Sequence, residues 1–160
     1  MNTASTVQIR PATVDDKEFI ISLVPRLVEF GPPVGRDADQ MTSVDAQLLS
    51  DKLLNQPSGT AIFIAEDGEG VSLGFIHLQP GADYYYRDEH HAHIADLIVA
   101  PKGEGRGIGR LLMEKGEEWA RSQGFHLLML SVFAENLRAR ELYKRLGYGE
   151  DMMKYVKELV

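Results

Sequence analysis

Between Val99 and Leu112 the chain reads Val-Ala-Pro-Lys-Gly-Glu-Gly-Arg-Gly-Ile-Gly-Arg-Leu-Leu, with glycine at every second position from Gly103 to Gly109. The apolar residues before this run suit a buried strand and those after it an amphipathic helix, so the glycines must build the turn between them. Glycine lets successive backbone N–H groups point the same way and lets a bulky anion approach the main chain. A helix that begins at the end of such a turn adds unpaired N–H donors and the positive end of its dipole. The segment therefore reads as a pyrophosphate cradle formed by Gly105, Gly107, Ile108 and Gly109, with Arg106 and Arg110 available to add positive charge. A plain strand-to-helix turn would not need four alternating glycines, because each costs chain entropy.

Spacing narrows the ligand. The dinucleotide fingerprint G-x-G-x-x-G fails in each register, since it would need glycine or alanine at Arg110 or at Ile108. The ATP loop fails as well, because no Gly-Lys-Ser/Thr closes the run. What remains is Gly-x-Gly leading directly into a helix.

A second segment carries its own signals. In Phe133-Ala-Glu-Asn-Leu-Arg-Ala-Arg-Glu-Leu-Tyr-Lys-Arg-Leu-Gly-Tyr148, Asn136 is a good N-cap and Gly147 a good C′ residue, bounding a helix of about three turns. Asn136, Ala139 and Tyr143 share one face of that helix, with Leu142 and Leu146 forming the adjacent apolar stripe. Ala139 is small enough to let another group come close.

Together these two segments resemble the GNAT superfamily of N-acetyltransferases. Val99, Pro101, Gly105, Gly107 and Gly109 fall on the pattern V-x-P-x-x-R/Q-G-x-G-x-G/A, by which that family binds acetyl coenzyme A. Asn136, Ala139, Tyr143, Gly147 and Tyr148 fall on its later pattern N-x-x-A-x-x-x-Y-x-x-x-G-F/Y. Glu104 departs from the first pattern, standing where the family usually has Arg or Gln; its carboxylate is expected to turn to solvent or pair with Arg106 or Lys102.

The resemblance implies a single α/β (mixed α+β) domain over residues 1–160, with a mixed, mostly antiparallel sheet flanked by helices. A parallel strand pair in it splays apart to admit the pantetheine arm. The backbone of Leu97, Ile98 and Val99 would then hydrogen-bond the pantetheine amides by adding to the strand. Tyr143 is implied as the general acid that protonates the coenzyme A thiolate. Asp96 occupies the strand position where the family often places its general base, and His77 and His93 are alternative bases because imidazole titrates near neutrality. The implied activity is direct transfer of an acetyl group to a primary amine of a small molecule or peptide. A non-catalytic acyl coenzyme A sensor or partner-binding module of the same fold is the alternative.

Composition sets limits on all this. A length of 160 residues with 44% hydrophobic and 26% charged residues suits an ordinary globular protein with one sizeable core. No apolar run approaches a membrane span and no leader is evident, so a cytoplasmic enzyme is expected. The absence of cysteine removes disulfides, thiolate metal sites and a cysteine-linked acyl intermediate. A net charge of −7 argues against nucleic acid and favours cationic acceptors. His90, His91 and His93 invite a metal reading, but no third ligand is evident and no metal is expected. A homodimer is compatible with the resemblance.

Breakers and patterning place the remaining elements. Strands are expected at 7–11, 60–66, 71–79, 92–100, 126–133 and 151–157. Helices are expected from Asp15 or Asp16 to Phe30, interrupted at Pro25, then from Thr42 or Ser43 to Asn55, at 108–122 and after Asn136. The loops 31–41 and 80–91 would flank the acceptor, where Tyr84, Tyr85, Tyr86, Asp37, Asp39, Asp83, Asp88 and Glu89 could receive a cationic amine.

Overall fold

The computed structural model describes residues 6–82 and 90–160. Tyr84, Tyr85, Tyr86, Asp83, Asp88 and Glu89 therefore lie outside the described residues. Five strands form one sheet in sequence order: β1 (Gln8–Pro11), β2 (Ala61–Glu66), β3 (Ser72–Ala82), β4 (His90–Val99) and β5 (Leu128–Leu130). The first four are antiparallel neighbours, and β4 and β5 run parallel. Helices α1 (Lys17–Leu23) and α2 (Ala38–Asn55) belong to one face of the sheet, and α3 (Ile108–Ser122) and α4 (Leu137–Arg145) to the other.

Each face has its own core. Ile20, Leu23, Val24, Leu49 and Leu53 pack with Ile64, Phe75 and Ile98, whereas Ile108, Leu112 and Met113 pack with Phe63, Leu73, Ile76, Leu78 and Ile94. The alternation of side chains along a strand supplies both sets at once. In β4 that alternation is reset. His77 faces Asp96 while Leu78 faces Ile94, so Ala95 is one residue more than the partner strand provides. In consequence Ile94 joins the α3 core, while Asp96 shares the α1/α2 side with Ile98.

Several boundaries differ from the sequence reading. Helix α2 begins at Ala38, not at Thr42 or Ser43, because Asp37 caps it by accepting from the Gln40 N–H at 2.8 Å. The first helix stops at Leu23, and the chain continues as a tighter 3₁₀ stretch over Val24–Val28 around Pro25. Strand β3 runs on to Ala82 through the segment read as a loop, and β5 is shorter than the 126–133 span. Residues 151–157 form no strand, and all are exposed. By contrast, α3 starts and ends where the glycines and its apolar stripe place it.

The first strand is locked to its neighbours by charge. Arg10 donates to both carboxylate oxygens of Asp16 and to Glu66, each at 2.8 Å, so β1, β2 and the start of α1 are held as a unit. The guanidinium holds the Asp16 carboxyl below the usual range even though burial acts the other way.

Candidate active site

Strands β4 and β5 are paired only from Ala92–Leu128 to Ile94–Leu130. Beyond Ile94 the two strands part, and a cavity of about 310 Å³ opens between them. Ile94, Ala95, Asp96 and Leu97 form one wall. Leu130, Ser131, Val132 and Phe133 form the other, with Asn136, Ala139 and Tyr143 of α4 behind it. Leu27, Met41 and Asp45 close it from the α1/α2 side. The cavity thus joins the two faces of the sheet where the hydrogen bonding between β4 and β5 stops.

The glycine turn lies just past the end of β4. Gly105 and Gly107 have φ values of 72° and 74°, in the left-handed region that side chains rarely adopt, and a Cβ on either would meet no atom within 4 Å. The main chain is therefore open to a bulky group at both positions. Gly103 and Gly109 serve packing instead: a Cβ there would lie 2.8 Å from the Leu73 carbonyl oxygen or 3.1 Å from Leu142. Gly107 is the N-cap of α3 and brings no side chain to its first N–H groups. The mouth of α3 keeps its donors and dipole available, as a diphosphate requires.

Glu104 is the departure from the expected pattern, and its partners differ from those expected. It pairs with Arg26 and with Arg138, the latter at 3.2 Å, rather than with Arg106 or Lys102. Those two arginines come from the 3₁₀ stretch on one side of the cleft and from α4 on the other. Hydrogen bonding to Arg138 and Arg26 holds the Glu104 carboxyl below the usual range. Arg110 instead pairs with Glu114 one turn along α3, at 2.9 Å. The Glu104 carboxylate thereby gathers two cations beside the glycine turn.

Asp45, Asp96 and Tyr143 line the cleft, and the histidines stand outside its lining. His77 Nδ1 lies 3.0 Å from an Asp96 carboxylate oxygen, joining β3 to β4 beside the extra residue of β4. His77 is buried, and its Nε2 has no hydrogen-bond partner among the described residues. Asp45 reaches the same cavity from α2; burial first, and then the charge of Asp96, raises its carboxyl above the usual range. Burial lowers the His93 imidazole, with His91 adding to the effect and Asp96 opposing it. Across the cavity, burial pushes the Tyr143 phenol up to about 12, so at neutral pH it carries its proton. The Tyr143 ring packs edge-on against Tyr148 at 6.2 Å, and the Tyr148 hydroxyl donates to Glu117 of α3 at 3.0 Å. Asn136 caps α4 by accepting from the Ala139 N–H at 3.2 Å.

The structure thus brings Leu97, Asp96, Asn136, Ala139 and Tyr143 to one cavity, with Ile98 and Val99 leading from it to the glycine turn. Ile98 itself points into the α1/α2 core, so only its backbone faces the strand edge. Asp37 is used as a helix cap rather than at the cavity. Among the described residues no group of three His, Cys, Asp or Glu side chains is placed to hold a metal ion. Sequence reading missed Arg26, Arg138 and Asp45 as site residues. Asp45 had one available signal, its position one turn after Met41 on the inward side of a helix. Among the described residues no helix is long and apolar enough to cross a membrane.

Comparison with known proteins agrees with this geometry. Residues 27–148 match the sequence profile of the Acetyltransferase (GNAT) family. The chain is 30% identical over 145 residues to the uncharacterized N-acetyltransferase YhfO of Bacillus subtilis, covering 91% of both chains. It is 26% identical over 159 residues to the aminoalkylphosphonate N-acetyltransferase of Salmonella typhimurium, covering 95% of this chain and 91% of that one. A 59-residue stretch is 44% identical to the uncharacterized N-acetyltransferase MJ1207 of Methanocaldococcus jannaschii; that match spans 37% of this chain and 26% of the longer relative. Among solved structures, a putative acetyl transferase from Pyrococcus furiosus superimposes with a TM-score of 0.76 at 23% identity, covering 96% of this chain and all of that one. The aminoglycoside N-acetyltransferase AAC(6')-Iy, solved in complex with CoA, superimposes with a TM-score of 0.70 at 20% identity over 99% of both chains. On the family match and the length over which it holds, this chain is an acetyltransferase enzyme and belongs to the GNAT family.

Proposed function

We propose that this enzyme transfers an acetyl group from acetyl coenzyme A directly to a primary amine that carries positive charge, on a small molecule or peptide. The observation that carries the reading is the cleft itself, which has Asp96, with His77 behind it, and Tyr143 on opposite walls of one cavity. The open main chain at Gly105 and Gly107 and the uncapped mouth of α3 fit a diphosphate, and so fit acetyl coenzyme A as co-substrate. When bound, that co-substrate supplies an activated acyl thioester.

The chain's own residues would do the rest. Backbone N–H groups of Gly107, Ile108 and Gly109 hold phosphate oxygens, aided by Arg106 and Arg110. The free edge of β4 at Leu97 to Val99, where it has parted from β5, orients an amide-bearing arm. Asp96 accepts a proton from the incoming ammonium, directly or through one water, while its contact with His77 fixes the carboxylate's orientation. Tyr143 donates a hydrogen bond to the departing sulfur, and its raised pKa keeps that proton in place at neutral pH. Transfer of the proton is favoured to the extent that the same apolar surroundings also destabilise the thiolate. The carboxylates of Asp45 and Asp96 in one cavity favour a cationic acceptor.

The test is thiol release from acetyl coenzyme A with a panel of polyamines, aminoglycosides, aminoalkylphosphonates, amino acids and peptide N-termini. Turnover confined to acceptors with a second positive group supports the reading. Turnover restricted to anionic or neutral acceptors would overturn the part played by Asp45.

A further inference from the structure

Glu104 stands immediately before the open main chain of Gly105, where β4 has given way to the glycine turn. Its two carboxylate oxygens are divided between two arginines. Oε1 accepts from Arg26 Nη2, and Oε2 lies 3.2 Å from Arg138 Nη1. Arg26 comes from the 3₁₀ stretch that also sends Leu27 to the cavity, and Arg138 from α4, between Asn136 and Ala139 of the cavity wall. Arg26 makes one further ion pair, to Glu29 at 3.3 Å. Three separate parts of the chain therefore converge on one side chain beside the turn.

That convergence does little for the fold. The side chains of Arg138 and Glu104 are 71% and 34% exposed, and ion pairs this open to water add little to stability. What it achieves is to hold two guanidinium groups on either side of one anion, next to the mouth of α3. A phosphate offers arginine the same paired oxygens as a carboxylate and carries more negative charge.

We propose that Arg26 and Arg138 are ligands of the coenzyme's diphosphate, and that Glu104 is the anion that keeps them paired in its absence. Arrival of the diphosphate exchanges one anion for another. Both guanidinium groups pass from Glu104 to phosphate oxygens, and the Glu104 side chain turns to water. Neither hydrophobic core has to open for this, because none of the three side chains belongs to one. The proposal rests on the coenzyme A reading above and adds to it two ligands from outside the glycine turn.

Calorimetric titration with coenzyme A tests it on the parent chain and on Glu104→Gln, Arg26→Gln and Arg138→Gln, each with an unchanged circular dichroism spectrum. Opposite signs are expected. Glu104→Gln should bind a few-fold tighter, whereas each arginine variant should bind about five- to tenfold weaker. The gain from Glu104→Gln should vanish when both arginines are also replaced. Dephospho-coenzyme A, which keeps the diphosphate and lacks the ribose phosphate, should give the same pattern. Weaker binding in all three variants would make the contact a structural clasp and overturn the proposal. A gain from Glu104→Gln that persists undiminished without the arginines would overturn it too, since Glu104 would then only repel the ligand. So would a pattern that disappears with dephospho-coenzyme A. A folded parent chain that binds no coenzyme A would instead overturn the coenzyme reading itself, and this proposal with it.

Discussion

The two walls of the cleft are built to different standards. Strand β4 stays paired with β3 from Gly74–Val99 to Ala82–His90, and α3 packs over them with Ile108, Leu112, Met113, Gly116 and Ala120 buried. Opposite, β5 is three residues long and α4 buries none of its nine. Helix α4 is held at its far end by Tyr148, through the Glu117 contact and a backbone bond from the Tyr148 N–H to the Tyr143 carbonyl at 3.0 Å. The wall that carries the glycine turn and Asp96 is therefore formed before any ligand arrives. The wall that carries Tyr143 is packed less deeply, its Leu128, Leu130, Tyr143 and Leu146 only partly buried against the α3 core. A binding site arranged in this way can fix the cofactor on a rigid element and adapt the other side to it.

The largest expected effect tests the rigid wall. Gly107→Val places a β-branched residue at a φ of 74° and sets a side chain over the donors of α3. Coenzyme A binding by calorimetry should be lost while the circular dichroism spectrum remains; retained affinity would remove the cradle. Next, Tyr143→Phe should lower kcat by about 100-fold or more with coenzyme A affinity held within about threefold, since a general acid acts in the transition state. Equal losses in kcat and affinity would make Tyr143 a packing residue. Asp96→Asn should cost about 100-fold in kcat/KM for the acceptor. His77→Asn should fall short of that, because it loosens the carboxylate without removing it.

Stability sharpens the contrast further. Leu112→Ala, in the core of the rigid wall, should cost about 2–5 kcal/mol in urea unfolding. Leu142→Ala, half-buried on α4, should cost about 1 kcal/mol without ligand. Similar values would mean that the two walls are equally well packed. The smallest effect concerns Glu104→Gln. Freed of the carboxylate, Arg26 and Arg138 become available to phosphate, and coenzyme A should bind a few-fold tighter at low salt. Weaker binding would show that Glu104 holds those arginines in a useful place.

Much of both walls was legible in the sequence because the signals are local. The alternating glycines, the stripe of α3, the Asn136 cap and Gly147 each act within a turn or two of themselves. What was not legible depends on distance along the chain. Arg26 lies 78 residues from Glu104, and nothing near Glu104 announces it. His77 could be named as a titratable group, but its pairing with Asp96 follows from cross-strand register, which the extra residue in β4 sets. The start of α2 was misplaced because Asp37 sits in a stretch rich in breakers, where Gly35 and two prolines hid a competent cap. The strand expected at 151–157 has the right residues and pairs with no strand among the described residues.

The additional residue at Ala95 has a consequence for how this strand can vary. A β-strand sorts its side chains by odd and even position, and one insertion swaps the two classes on everything beyond it. Ile94 and Asp96 share a parity in the sequence yet serve opposite sides of the sheet. Deleting Ala95 would remove little more than a methyl group from the contact inventory. It would leave the isoleucine and the aspartate as consecutive residues, which plain alternation sends to opposite sides, so both would keep their places and the strand would lose only the bend that an extra residue imparts.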